Sequence, residues 1–204
     1  IIKSNTERLN SLIQEVIDFR RMETGNQICH IQELNISKLA KDIIDSFGEL
    51  AEQNQIHLET DISPDIIWKS DYSGFTKILN NLISNAFKYS PENGTIRISI
   101  KIEVDKLNIQ VYNTGKGICK ENIPLIFNRY SVLDNIQENS IKGLSSRNGL
   151  GLAICQSMVE LLQGTIEVKS EIDQYAQFIV NLPQLEVTEE AEHVLNETPK
   201  SEPL

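Results

Sequence analysis

Apolar side chains return every three or four residues at the start of this chain. Ile2, Leu9, Leu12, Val16 and Phe19 form a heptad seam in which Asn5 is the polar member. Ile13 and Ile17 widen the stripe and Gly25 is a stop signal, so the spacing predicts one helix over residues 2–22. Its face suits a helix lying on its own domain as well as one in a bundle. Residues 28–34 then fit a short strand. Ser37 is placed to cap a helix running to about residue 52, with Leu39, Ile43, Ile44, Phe47 and Leu50 inward. Residues 55–61 alternate like a strand. Asp71 is placed to cap a helix to residue 89, with Phe75, Ile78, Leu79, Leu82, Ile83 and Ala86 inward.

Strict alternation follows. Ile96, Ile98, Ile100 and Ile102 share a face, as do Leu107, Ile109 and Val111, and Asp105-Lys106 is the expected tight connection of a hairpin. From residue 113 to about 148 the pattern fades while Gly, Asn and Ser accumulate. This predicts a long loop, with one short helix over 121–126; loops of this length are usually functional. A helix over 150–162 and strands over 165–170 and 176–182 complete the pattern. After Pro183 the chain is acidic and poor in large apolar residues, as expected of a tail or linker. The order predicts an α+β fold: a two-layer α/β sandwich, with helices on one face of a mixed, mostly antiparallel sheet, preceded by the long helix.

With 204 residues, 40% of them hydrophobic and 24% charged, the chain can bury a core without covalent staples. Cys29, Cys119 and Cys155 are odd in number and form no C-x-x-C pair, which argues against a disulfide framework or a thiolate zinc site. No apolar run approaches the ~20 residues of a membrane helix. The chain opens at Ile1 without Met and is expected to be a fragment. Its formal net charge of -10, with no Lys/Arg-rich run, makes nucleic acid a poor partner. A nucleotide, also an anion, would need local backbone N–H groups, a metal ion and a few cations.

Three segments carry candidate chemistry. In residues 81–89 (NLISNAFKY), Asn81, Asn85 and Lys88 fall on one helix face at i, i+4 and i+7. Two amides and an ammonium on one stripe can bind a hard metal ion and phosphates together, or can simply be a solvated face. In residues 111–118 (VYNTGKGI), Gly115 and Gly117 let the backbone approach a flat ligand, or make a simple turn. In residues 149–154 (GLGLAI), two glycines at the start of a helix make an anion site, or serve packing. A Walker A loop is absent.

In this order, the segments resemble the boxes of the histidine kinases among the GHKL ATPases. Residues 81–89 resemble the N box N-L-x-x-N-A-x-K-Y, and residues 113–118 the first glycine box D-x-G-x-G-I. Residues 126–130 (IFNRY) resemble the F box, and residues 149–154 the second glycine box G-x-G-L-A-I. The resemblance runs from residue 1 to about 183 and implies three parts. Residues 1–26 would be the second helix of a dimerisation bundle, 27–183 an ATP-binding catalytic domain, and 184–204 a tail or a linker to a receiver domain, as in hybrid kinases.

The resemblance also implies roles. Asn85 would coordinate Mg2+, with Asn81 one turn away supporting its waters or the phosphates. Lys88 would reach a phosphate, and Tyr89 would line the pocket. Asn113 would face the adenine amino group, with Gly115, Gly117 and Ile118 beside the base. Gly149, Leu150, Gly151 and Leu152 would wrap the phosphates, and Phe127 and Arg129 would belong to the lid. Hydrolytic relatives carry Glu where Asn81 stands; a neutral imidazole acceptor needs positioning more than a base, so the resemblance leans to a kinase. His30, His57 and His193 are the only histidines, and none sits in the family's acceptor context. The acceptor would belong to a missing helix, so this piece alone would not autophosphorylate. The parent would be a homodimer working with a receiver domain or response regulator, with this part cytoplasmic and missing segments in the inner membrane.

The chain departs from the family at several places. Asn113 replaces the usual Asp, weakening acceptance of an adenine N–H by ~1 kcal/mol, roughly five-fold. Ala176 stands where Ser or Thr is common. Tyr130 and Ser131 replace the commoner Phe and Tyr, and Arg147-Asn148 replace a Gly-Thr lead-in. A nucleotide-free docking module and a GHKL-type ATPase are the competing readings.

Overall fold

The computed structural model describes residue 17, residues 29–128 and residues 149–186. Apart from Ile17, which is helical, the helix expected over 2–22 lies outside the described residues, as do Arg129, the rest of the segment to residue 148, and the tail beyond residue 186.

Two short strands, β1 (Ile31–Asn35) and β3 (Ile67–Asp71), pair antiparallel as a sheet of their own. Between them in sequence lie α1 (Ile36–Asp45), α2 (Gly48–Gln53) and β2 (His57–Ile62). The long helix α3 (Tyr72–Tyr89) follows, then β4 (Thr95–Glu103), β5 (Lys106–Thr114) and a single 3-10 turn at Ile123–Leu125. Helix α4 (Gly151–Leu161) and strands β6 (Thr165–Glu171) and β7 (Tyr175–Pro183) end the domain. The main sheet has the order β2-β4-β5-β7-β6, and only the β2–β4 pair is parallel. It is the mixed, mostly antiparallel sheet that the alternation predicts.

Register explains the core. Ile98, Val111, Phe178 and Val168 stand side by side across four strands, and Ile100, Ile109, Val180 and Ile166 form the next row. These rows share one core with Phe75, Ile78, Leu79, Leu82 and Ile83 of α3 and Ile154 and Met158 of α4. The other sheet face is polar. Arg97 pairs with Glu59 at 2.7 Å, and Asn108 Nδ2 donates to Asn181 Oδ1 at 2.8 Å. One face given to the core and the other mostly polar is what a period of two produces in an antiparallel sheet.

Several details differ from the sequence expectation. The cap of α1 is Asn35, whose side chain accepts the Lys38 N–H at 2.9 Å. Ser37 instead ties α1 to the loop after β2: its hydroxyl donates to Ser63 O at 2.7 Å and accepts the Ile66 N–H at 2.8 Å. The single helix expected to residue 52 is broken at Ser46, whose hydroxyl donates to Ile43 O at 2.6 Å and competes with the helix ladder. Phe47 keeps its inward role by stacking on Phe87, with centroids 5.5 Å apart. Strand β3 received no element from the periodicity. The hairpin turn is Val104-Asp105, one residue earlier than expected, because Glu103 pairs with Lys106. The short helix expected over 121–126 is the 3-10 turn, with Pro124 in its first positions.

Asp71 caps α3 as expected, its Oδ1 accepting the Gly74 N–H at 2.6 Å. Its Oδ2 accepts the His30 N–H at 2.8 Å, so one buried carboxylate fixes both the start of α3 and the chain entering β1. Asp71→Ala removes both acceptors and is expected to cost about 2 kcal/mol or more in urea unfolding. Val104 is 93% exposed and has a φ of 47°, with Asp105 at 58°. A β-branched residue is strained there, whereas asparagine tolerates it. Val104→Asn is expected to stabilise the domain by about 1 kcal/mol in the same measurement.

Candidate functional site

Helix α3 carries its polar stripe past the N-terminus of α4. Asn81 Nδ2 donates back to Lys77 O at 2.9 Å, and its Oδ1 lies 2.9 Å from where a Cβ on Gly151 would stand. A side chain at 151 would displace the Asn81 amide. One turn on, Asn85 lines a cleft, and so does Tyr89. Lys88 Nζ sits 5.0 Å over the Tyr89 ring, a cation–π contact that keeps its charge beside the cleft.

The opposite wall starts where the core rows run out. The last inward row of the sheet is Ile96, Asn113, Ala176 and Ser170, in register across β4, β5, β7 and β6. Alternation that fills the core with isoleucine and valine thus ends on a buried amide, Asn113. Its Nδ2 donates to Thr114 O at 3.0 Å.

The chain then folds tightly against its neighbours. A Cβ on Gly115 would run into the Tyr89 carbonyl oxygen, and one on Gly117 into the Glu171 carbonyl oxygen. Gly117 also has a φ of +63°. Neither place admits a side chain. The segment is stitched to the β6–β7 turn: the Gly115 N–H donates to Gln174 O at 3.0 Å, and the Asp173 N–H to Lys116 O at 2.8 Å. Ser170 completes the seam, its hydroxyl accepting the Ile118 N–H at 2.8 Å and donating to Tyr175 O at 2.6 Å.

The resulting cleft, of ≈ 620 Å³ counted to its open mouth, is lined by Asn85, Tyr89, Asn113, Lys116, Gly117, Ile118, Ile126, Leu152, Ala176 and Phe178. The mix of apolar walls with a few polar groups is that of a ligand site. No Asp, Glu or His is among the lining residues. At the start of α4, Leu150 makes no side-chain cap, and a helix N-terminus is a natural anion site.

Of the residues expected from sequence, Asn85, Tyr89, Asn113, Gly117, Ile118 and Leu152 line this cleft. Gly115 lies behind it against Tyr89, and Asn81 stands beside Gly151. Gly149 and buried Leu150 lead into α4, and Phe127 packs partly buried on the core. Arg129 lies outside the described residues. Lys116, Ile126 and Phe178 were not singled out. Phe178 could have been, as the inward position two residues after Ala176, and Ile126 as the apolar residue leading the F box.

The three cysteines are free. Burial pushes the Cys155 thiol up to about 12, which makes it a packing residue rather than a nucleophile. Burial, and then the nearby negative charge of Asp71, raise Cys29. Among the described residues no helix is long and apolar enough to cross a membrane. Gly117→Ala would force a strained backbone against the Glu171 carbonyl; it is expected to lower stability by about 2 kcal/mol in thermal unfolding.

Comparison with known proteins bears on the family and the fold. The profile of the family described as histidine kinase-, DNA gyrase B-, and HSP90-like ATPase matches residues 70–186, more than half of the chain. The chain is 30% identical over 190 residues to the sensor histidine kinase YclK of Bacillus subtilis, covering 90% of this chain and 38% of that protein. It is 29% identical over 194 residues to the circadian input-output histidine kinase CikA of Synechococcus elongatus, covering 94% of this chain and 25% of that one. The chain thus spans well under half the length of these relatives. Full-length ShkA in complex with AMPPNP superposes with a TM-score of 0.77 at 22% identity, over 91% of this chain and 38% of that one. Histidine kinase ThkA in complex with the response regulator TrrA gives 0.68 at 22% identity, over 91% and 50%. The matched region holds α3 with its asparagines, both glycine segments and the strands that bring them together, and the chain belongs to the histidine kinase-, DNA gyrase B- and HSP90-like ATPase family.

Proposed function

We propose that this chain is the ATP-binding catalytic domain of a sensor histidine kinase, which binds Mg·ATP in the cleft and passes the γ-phosphoryl to a histidine of the parent protein's dimerisation domain. One observation carries the reading: Asn85 and Tyr89 of α3, Asn113 to Ile118 after β5, and Leu152 of α4 come from three distant segments and line one cleft. In this reading residues 1–26 are the second dimerisation helix, 27–183 the catalytic domain and 184–204 a linker.

The base sits on the apolar wall of Ile118, Ile126, Ala176 and Phe178, with its edge toward Asn113. The phosphates run toward the uncapped start of α4, where Gly149, Leu150, Gly151 and Asn81 meet, and Lys88 supplies positive charge. Phe127 and Arg129 belong to the lid. The family implies a magnesium ion, and the residues fit one. Among the described residues no cluster of three or more His, Cys, Asp or Glu could cage a metal alone. Magnesium beside phosphates needs only one or two protein oxygens and keeps its waters. Asn85 offers the amide oxygen at the cleft wall. When bound, the ion neutralises phosphate charge.

Among the described residues the cleft lining holds no carboxylate or imidazole, which favours phosphoryl transfer to an outside histidine over hydrolysis. The parent would dimerise through the helix over residues 1–26 and signal to a response regulator, in keeping with the ThkA–TrrA complex. It would be anchored to the inner membrane by segments beyond this chain, with this domain in the cytoplasm.

Calorimetric titration with a non-hydrolysable ATP analogue is the test. Saturable binding that weakens without Mg2+ is expected. Asn85→Ala should weaken it by about ten-fold or more in Mg2+ and abolish the metal dependence. No binding at millimolar nucleotide would discard the kinase reading in favour of a docking module.

A further inference from the structure

We infer that Thr114 sets the base selectivity of this cleft, by fixing which end of the Asn113 amide faces the ligand, so that the site takes a 6-aminopurine and rejects a 6-oxopurine; the inference rests on the nucleotide reading of the cleft.

Asn113 is 3% exposed and lines the cleft. A carboxamide has an accepting end and a donating end, so its orientation decides what it recognises. Here Nδ2 donates to Thr114 O at 3.0 Å. That carbonyl can only accept. A rotated amide would lose the bond and set two oxygens against each other. Oδ1 is therefore the end left for a ligand, and it matches the amino group of adenine. The carbonyl at the same place on hypoxanthine would meet another acceptor.

The lock holds only if the Thr114 carbonyl cannot turn, and Thr114 is held both through its side chain and through the peptide that follows it. The Thr95 N–H donates to Thr114 Oγ1 at 2.8 Å, and that hydroxyl points back at Thr95 O at 3.4 Å. The Gly115 N–H at the other end of the peptide donates to Gln174 O at 3.0 Å. Gly94 keeps the hydroxyl's place clear, since a Cβ there would lie 2.9 Å from Thr114 Oγ1. Thr114 does not line the cleft; it is a positioning residue acting through Asn113. A carboxylate at position 113 would accept at both ends and need no such lock. The amide makes the threonine necessary.

The test compares ADP with inosine diphosphate in Mg2+ by calorimetry on the same chain. The unaltered protein is expected to prefer ADP by about ten-fold or more. Thr114→Val, or Thr114→Ala if valine is not tolerated, should cut that preference to about three-fold or less, and Thr114→Ser should keep it. The double variant Asn113→Asp with Thr114→Val should recover the preference, because either carboxylate oxygen accepts. The proposal is overturned if Thr114→Val weakens both nucleotides equally. A double variant as unselective as the single one would also overturn it, by showing general damage to the cleft. Equal binding of the two diphosphates by the unaltered protein sinks the lock while leaving the nucleotide reading standing. Binding of neither sinks both.

Discussion

At the end of α3, main chain packs directly on main chain. The Tyr89 carbonyl occupies the place where a side chain on residue 115 would begin. This approach sets the width of the cleft, because it brings the helix carrying Asn85 and Tyr89 against the strand carrying Asn113. It needs a straight helix end and a stiff loop. Ser90 supplies the first, its hydroxyl donating to Ala86 O at 2.7 Å where the chain leaves α3. The second comes from the seam between residues 115–118 and the β6–β7 turn, in which backbone groups of both segments pair with each other or with Ser170. The open strand ends around a ligand are thereby satisfied without drawing on the groups that face the cleft.

Charge is distributed so that the cleft escapes the acidity of the chain. The net charge is -10, yet among the described residues that line the cleft the charged one is Lys116. Acidic side chains such as Glu59 and Asp61 stand on the outer sheet face, paired with Arg97 and Lys101. Amides take the polar positions inside the cleft. They offer oxygens to a metal or a base without the repulsion that carboxylates would exert on a polyphosphate.

Much of this was legible in the residues. The strict isoleucine alternation of β4 and the long stripe of α3 announce themselves, because burial on one face leaves a strong periodic trace. The boxes in residues 113–118 and 149–154 are legible because their glycines answer a demand of the backbone, and that in residues 81–89 because its polar side chains recur at helical spacing. What stayed hidden depends on partners distant in sequence. Strand β3 pairs with β1 across the intervening α1, α2 and β2, and its five residues alternate too briefly to stand out. Ser37 and Asn35 are both good caps, and only the loop at Ser63–Ile66 decides between them by claiming the Ser37 hydroxyl. Lys116 and Phe178 join the cleft through register and loop path, which no local pattern encodes.

The chain enters and leaves this domain at one corner. The His30 N–H is held by Asp71 and the Pro183 carbonyl accepts the Trp68 indole N–H at 3.3 Å, so both attachments fall on β3. Ala176, in the wall of the cleft, is seven residues up the same strand from Pro183, roughly 24 Å away. The two attachments and the cleft therefore lie toward opposite ends of β7, and a load applied at either attachment reaches Ala176 only through the length of that strand.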